Sequence, residues 1–234
     1  MNIIRNLLFM PIVFLIIGII NALLPLALHG LMSLSSTWII ILLIFYGGLA
    51  VLTFQLLPGV ITWLAVKLAP DKQFAYYATF IASIIVAAAF IYYYWSNPNL
   101  SLNGVGVFLR LTLTCLTVGL STSCIMGSGM RVLDEKALSL SYVFTIGTFL
   151  FYIGIILVFC LLSIKVCYIK PDKFYTWYSG IWHGIFAIPH WIVSWFSSDI
   201  YCKAPNATTA YNIWWWICAI FTGLSILGGG SSRS

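Results

Sequence analysis

A chain of 234 residues with 62% hydrophobic and 7% charged side chains cannot cover a water-facing surface, because soluble domains average about a quarter charged residues. Its net charge of +6 comes from single Lys and Arg residues scattered among short loops. That pattern excludes nucleic acid as a partner and points to the lipid bilayer, through headgroup and topology signals.

The apolar residues fall into blocks of about 20 or more, the length a helix needs to cross a bilayer core. Arg5 precedes the first span, about Leu7 to Leu28, and no small-residue cleavage site follows it, so the segment reads as retained. The second block, Thr37 to Val66, would be about 45 Å long as a helix and must tilt or break, with Pro58 and Gly59 as the break point. The third span, Phe74 to Trp95, closes on Tyr92, Tyr93, Tyr94 and Trp95, a headgroup-level aromatic cluster. The turn Ser96 to Asn99 follows.

The fourth block, Val105 to Met126, is the least apolar and carries Arg110, several Ser and Thr, Gly106 and Gly119; it either spans or re-enters. The fifth span is Ala137 to Ile164, the sixth Tyr175 to Phe196 and the seventh Tyr211 to Leu227. The expected fold is therefore an all-α, polytopic transmembrane bundle of six or seven spans with one re-entrant or broken segment. Residues 1–227 form a single transmembrane domain and 228–234 read as an expression linker. No internal repeat supports an inverted-repeat transporter.

With the N-terminus cytoplasmic, seven crossings place Lys165, Lys170 and Lys173 outside and Lys203 inside; six crossings with a re-entrant fourth block reverse both. Positive charges favour the inside equally in the two schemes. The six cysteines show no CxxC spacing and read as small buried hydrophobes, with Cys167 and Cys202 nearest to loops.

The stretch from Trp177 to Trp191 concentrates the unusual residues. Gly180, Gly184 and Ala187 form one smooth helix-packing face. His183 and His190 lie seven apart, on one face of a helix. Pro189 removes a hydrogen bond and frees the carbonyl of Ile185, making a second helix break after the one at Pro58 and Gly59. Histidines at membrane depth mark either a polar pathway or neutral interhelical hydrogen bonding. Arg110, near the start of its block, either snorkels to the interface or lines a cavity. Asn21, Gln55 and Asn212 complete the set of polar groups at depth. No Asp or Glu lies within a span, which weakens ion-driven coupling.

Other patterns carry less. Thr208-Thr209-Ala210-Tyr211 lacks the glycines of a potassium-channel filter. Asn206-Ala207-Thr208 matches a short glycosylation sequon. Gly127-Ser128-Gly129 resembles the nucleophile motif of rhomboid-type intramembrane proteases, but Met126 stands where that motif has a glycine. His29, His183 and His190 show no recognised haem spacing, so neither a cofactor nor a metal is expected.

Trp182-His183-Gly184, Pro189, Ser194, Phe196, Tyr201, Asn206 and the tryptophans after the turn together resemble a helical hairpin of uncharacterised bacterial membrane proteins. The resemblance covers about the last 50 natural residues and implies a bacterial cytoplasmic-membrane protein. The function expected from these residues is a channel or facilitative transporter for a small solute or ion, in a homo-oligomer or with a membrane-protein partner. The alternatives are an accessory or assembly subunit docking through the Gly180, Gly184 and Ala187 face, and an intramembrane enzyme.

Overall fold

The computed structural model describes residues 2–42, 60, 72–100, 105–129 and 137–228. The chain is all-α over these residues. Its helices are α1 (Asn2–Ser33), α2 (Lys72–Ser96), α3 (Gly106–Gly129), α4 (Ala137–Val166), α5 (Trp177–Ile185), α6 (Ala187–Ser194) and α7 (Thr209–Gly228). Residues 36–42 are also helical. Four helical stretches among the described residues are long and apolar enough to cross a membrane: Phe9–Ser33, Gln73–Ser96, Gly106–Met126 and Thr145–Val166. Gln55, Pro58 and Gly59 lie outside the described residues.

The described residues gather into two compact units, Met1–Leu100 with Leu109–Val158, and Ser101–Phe108 with Phe159–Ser234. In the first unit, Phe9, Val13 and Ile17 recur every four residues along α1 and pack against Ala75, Ala78, Ala82 and Val86 of α2. The alanines let the two helices approach closely, and Cys124 of α3 closes the cluster. Asn21 continues the α1 stripe. Pro25 has no N–H to give the Asn21 carbonyl one turn earlier. The hydroxyl of the fully buried Tyr94 donates to that carbonyl at 3.3 Å and lies 3.4 Å from the hydroxyl of Thr117. A tyrosine from α2 thus repairs a proline defect in α1.

The α3 segment is an unbroken helix of 24 residues, and two thirds of its span is buried, against less than half for each of the other three. Its composition explains the burial. The helix least suited to lipid is the one most enclosed by protein. Thr114, Thr122 and Ser123 return their hydroxyls to carbonyls three or four residues back. Glycines set its contact with α4: a Cβ on Gly119 would lie 2.5 Å from that of Phe151, and Gly147 seats the Thr122 side chain.

The expected sixth span is not one helix. Tyr175 to Phe196 folds as α5 and α6, of nine and eight residues, joined at Phe186. Each is about 13 Å long, less than half of the hydrocarbon core. Pro189 explains the position of the break. It occupies the third residue of α6, where a backbone N–H has no intrahelical acceptor to lose.

Candidate functional site

The second unit is organised by a hairpin that closes on itself. Tyr175, just before α5, pairs with Ala207, just before α7, in a parallel bridge. The Tyr175 N–H donates to the Asn206 carbonyl at 3.0 Å, and the Thr208 N–H donates to the Tyr175 carbonyl at 3.1 Å. The Asn206 side-chain amide donates to the Pro171 carbonyl at 2.8 Å, and the Tyr175 hydroxyl accepts the Lys170 N–H at 2.9 Å. The loops at 167–176 and 195–208 are therefore stitched together, and the chain between them leaves and returns to one place.

These contacts give Asn206 and Thr208 structural work. Thr208 is the N-cap of α7, its hydroxyl accepting the N–H of Tyr211 at 3.1 Å. The sequence Thr208 to Tyr211, compared above with a channel filter, is that cap followed by the first helical turn.

Helix α5 lies along α7 through its glycines. A Cβ on Gly180 would meet the Tyr211 carbonyl oxygen at 2.5 Å, and one on Gly184 would meet the Trp215 carbonyl oxygen and the Cys218 Cβ at 2.7 Å. Positions 180 and 184 face 211 and 215 in the same order, so α5 and α7 run parallel. Ala187 joins Tyr175, Tyr211 and Trp215 in one buried cluster. The smooth face of Gly180, Gly184 and Ala187 is thus filled by the chain's own α7.

The break at Phe186 places His183 on α5 and His190 on α6, so the two histidines do not share one face of a single helix as expected. His183 is buried, with its Nδ1 2.9 Å from the Tyr211 hydroxyl and its ring edge-on to Tyr175 at 4.8 Å. The same hydroxyl accepts the Ala204 N–H at 3.1 Å. The hydroxyl keeps its own proton and a second lone pair, so it donates to an unprotonated His183 Nδ1 or accepts from a protonated one, according to the tautomer.

His190 is 1% exposed, and neither ring nitrogen has a hydrogen-bond partner. Backbone groups of Ser163 and Tyr201 face the ring without reaching hydrogen-bond geometry. Leaving buried polar atoms unpaired costs about 1–3 kcal/mol each, which a bound water or polar solute would recover. Around it, the Cys202 thiol donates to the Ala187 carbonyl at 3.5 Å, and the Trp215 indole N–H donates to the Cys202 carbonyl at 3.3 Å.

The structure thus brings His183, His190, Gly180, Gly184, Ala187, Pro189 and a half-buried Asn212 into one unit. Asn21 and Arg110 belong to the other. Arg110 donates from Nη2 to the Asn97 carbonyl at 3.0 Å, in the turn after α2, and so anchors that turn. His29 is exposed on α1. The side chain of Ser128 lies outside the described residues. Among the described residues no cluster of three or more His, Cys, Asp or Glu is arranged for a metal. The sequence reading missed Tyr211 and Tyr94; the signal for Tyr94 was Pro25, whose missing N–H demands a donor for Asn21.

Comparison with protein families, with curated proteins and with solved structures finds no match to this chain.

Proposed function

We propose that the protein is a membrane conduit, a channel or facilitative transporter, for a small polar solute or ion, and that the hairpin between Tyr175 and Ala207 re-enters the membrane and carries its site. The observation behind this reading is His190, fully buried with two unpaired ring nitrogens in a broken helical segment. Interrupted helices at membrane depth are tolerated where they are packed in protein or line a polar cavity. In many transporters such half-helices form the solute site. The absence of Asp and Glu from the apolar blocks favours passive movement over proton or sodium coupling.

In this reading α1, α2, α3, α4 and α7 cross the membrane, and the apolar block at 37–66, taken from sequence, supplies a sixth crossing. The N-terminus is cytoplasmic, and the host membrane is the bacterial cytoplasmic membrane implied by the Trp182-His183-Gly184 hairpin resemblance.

The test is flux into proteoliposomes. Light scattering would follow water, glycerol and urea, and an entrapped pH dye would follow protons. Wild-type protein should pass at least one of these faster than empty liposomes do, and His190→Leu should abolish that flux. The same substitution removes the unpaired nitrogens at similar volume, so thermal stability should hold or rise. Wild-type flux equal to that of empty liposomes for every probe, or unchanged flux in His190→Leu, refutes the proposal.

A further inference from the structure

The stitched loops carry a second consequence, which rests on their lying on one side of the membrane but not on any flux. Lys165, Lys170 and Lys173 precede α5, and Lys203 precedes α7. Charge counting alone places the first three on the opposite side from the fourth. The bridge between Tyr175 and Ala207, and the bond from Asn206 to Pro171, bring their loops together.

We infer that these loops form a binding surface for anionic phospholipid headgroups. Two of the lysines are held over aromatic rings. The Lys173 Nζ lies 5.4 Å from the Tyr175 ring centroid, and the Lys203 Nζ lies 5.5 Å from that of Trp215 and 5.8 Å from that of Trp216. Tyr175 and Trp215 are themselves buried in the cluster that joins the two loops, so the rings that hold the ammonium groups are fixed. A ring face draws a cation close without neutralising it, and the charge stays available to an anion. In these loops Lys170, Lys173 and Lys203 face only Asp172 and Asp199, an excess of one positive charge, and Lys165 in the last turn of α4, just before the first loop, adds a second.

The surroundings select a lipid over a soluble anion. Tyr168, Phe174, Trp177, Tyr178, Trp214 and Trp216 are all exposed around the lysines. Trp177 and Trp214 also pair with each other at 6.5 Å. A free phosphate ion would leave these rings in water. A phospholipid covers them with its glycerol backbone and upper acyl chains while its phosphate reaches the lysines, which is how Trp and Tyr sit at headgroup level elsewhere.

The experiment uses the full-length protein in nanodiscs of phosphatidylcholine containing about one-fifth phosphatidylglycerol, with either lipid brominated in turn to quench tryptophan fluorescence. Wild-type protein should be quenched more by the brominated anionic lipid than its share of the bilayer predicts. Lys173→Gln with Lys203→Gln should reduce the preference roughly fivefold per lysine, and Lys173→Arg with Lys203→Arg should keep it. Should the Gln variant fail to fold, raising salt to roughly 0.5 M in the wild-type sample should erode the preference by screening. Equal quenching by the two lipids in wild type overturns the inference. So does a folded Gln variant with undiminished preference, a preference indifferent to salt, or its loss on adding inorganic phosphate at constant ionic strength.

Discussion

The Tyr211 hydroxyl makes two hydrogen bonds inside the hairpin. It accepts from the Ala204 N–H and hydrogen-bonds His183 Nδ1, so one oxygen ties the return loop to α5 and α7. Removing it strands two buried groups, each costing about 1–3 kcal/mol. Tyr211→Phe is therefore expected to destabilise the protein by about 2–4 kcal/mol in thermal unfolding in detergent. His183→Phe should cost less, because the hydroxyl keeps its bond to Ala204, and the double variant should be less destabilised than the sum of the two. A loss below about 0.5 kcal/mol for Tyr211→Phe would mean that the hydroxyl bonds water in solution and holds nothing. Of this arrangement the sequence displayed only the histidines, because a lone His in an apolar block is conspicuous. Tyr211 was inconspicuous among thirteen tyrosines, and its partner His183 lies 28 residues away. Tyr94 was hidden in the same way: the carbonyl it serves is 73 residues distant, and only the fold brings the two together.

At the scale of the element, the small-residue face was legible but its occupant was not. Gly180 and Gly184 stand one turn apart, and the same spacing serves contact with another chain or with the same one. The fold settles the occupant by returning the chain after Pro189, so that α7 starts beside α5. The apolar length of Tyr175 to Phe196 predicted a single span, because hydropathy does not register where a backbone turns. The glycines now permit a comparison between identical substitutions. A Cβ at Gly180 would sit 2.5 Å from the Tyr211 carbonyl oxygen, whereas one at Gly223 would meet nothing within 4 Å. Glycine within a helix is less stable than alanine by roughly 0.5–1 kcal/mol. Gly223→Ala should be neutral or stabilising by up to that amount. Gly180→Ala should be destabilising by about 1–3 kcal/mol through overpacking against backbone that cannot move aside. Equal melting temperatures for the two variants would mean that α5 is not seated on α7 as described.

At the scale of the whole molecule, apolar block lengths and single charges in loops identified helices fit for a membrane, because burying a charge in lipid is expensive whatever the sequence around it. The sides on which loops lie were not legible. Two schemes with different crossings gave the same distribution of Lys and Arg, and both separated Lys170 from Lys203. The hydrogen bonds among Pro171, Tyr175, Asn206 and Thr208 join the segments on which these lysines stand. Single cysteines introduced as Lys170→Cys and Lys203→Cys, in a protein lacking the native cysteines, should therefore react with a membrane-impermeant maleimide from the same side. The native thiols are poor probes for this purpose. Burial raises the Cys202 thiol above its ordinary pKa and pushes Cys167 up to about 12, and maleimides attack the thiolate. Their slow labelling would report burial rather than sidedness. Both introduced cysteines labelled in intact cells would place the closed hairpin outside, and both labelled only after permeabilisation would place it inside. One of each would mean that the segment between them crosses the membrane, and the re-entrant reading of the histidine hairpin would then be lost.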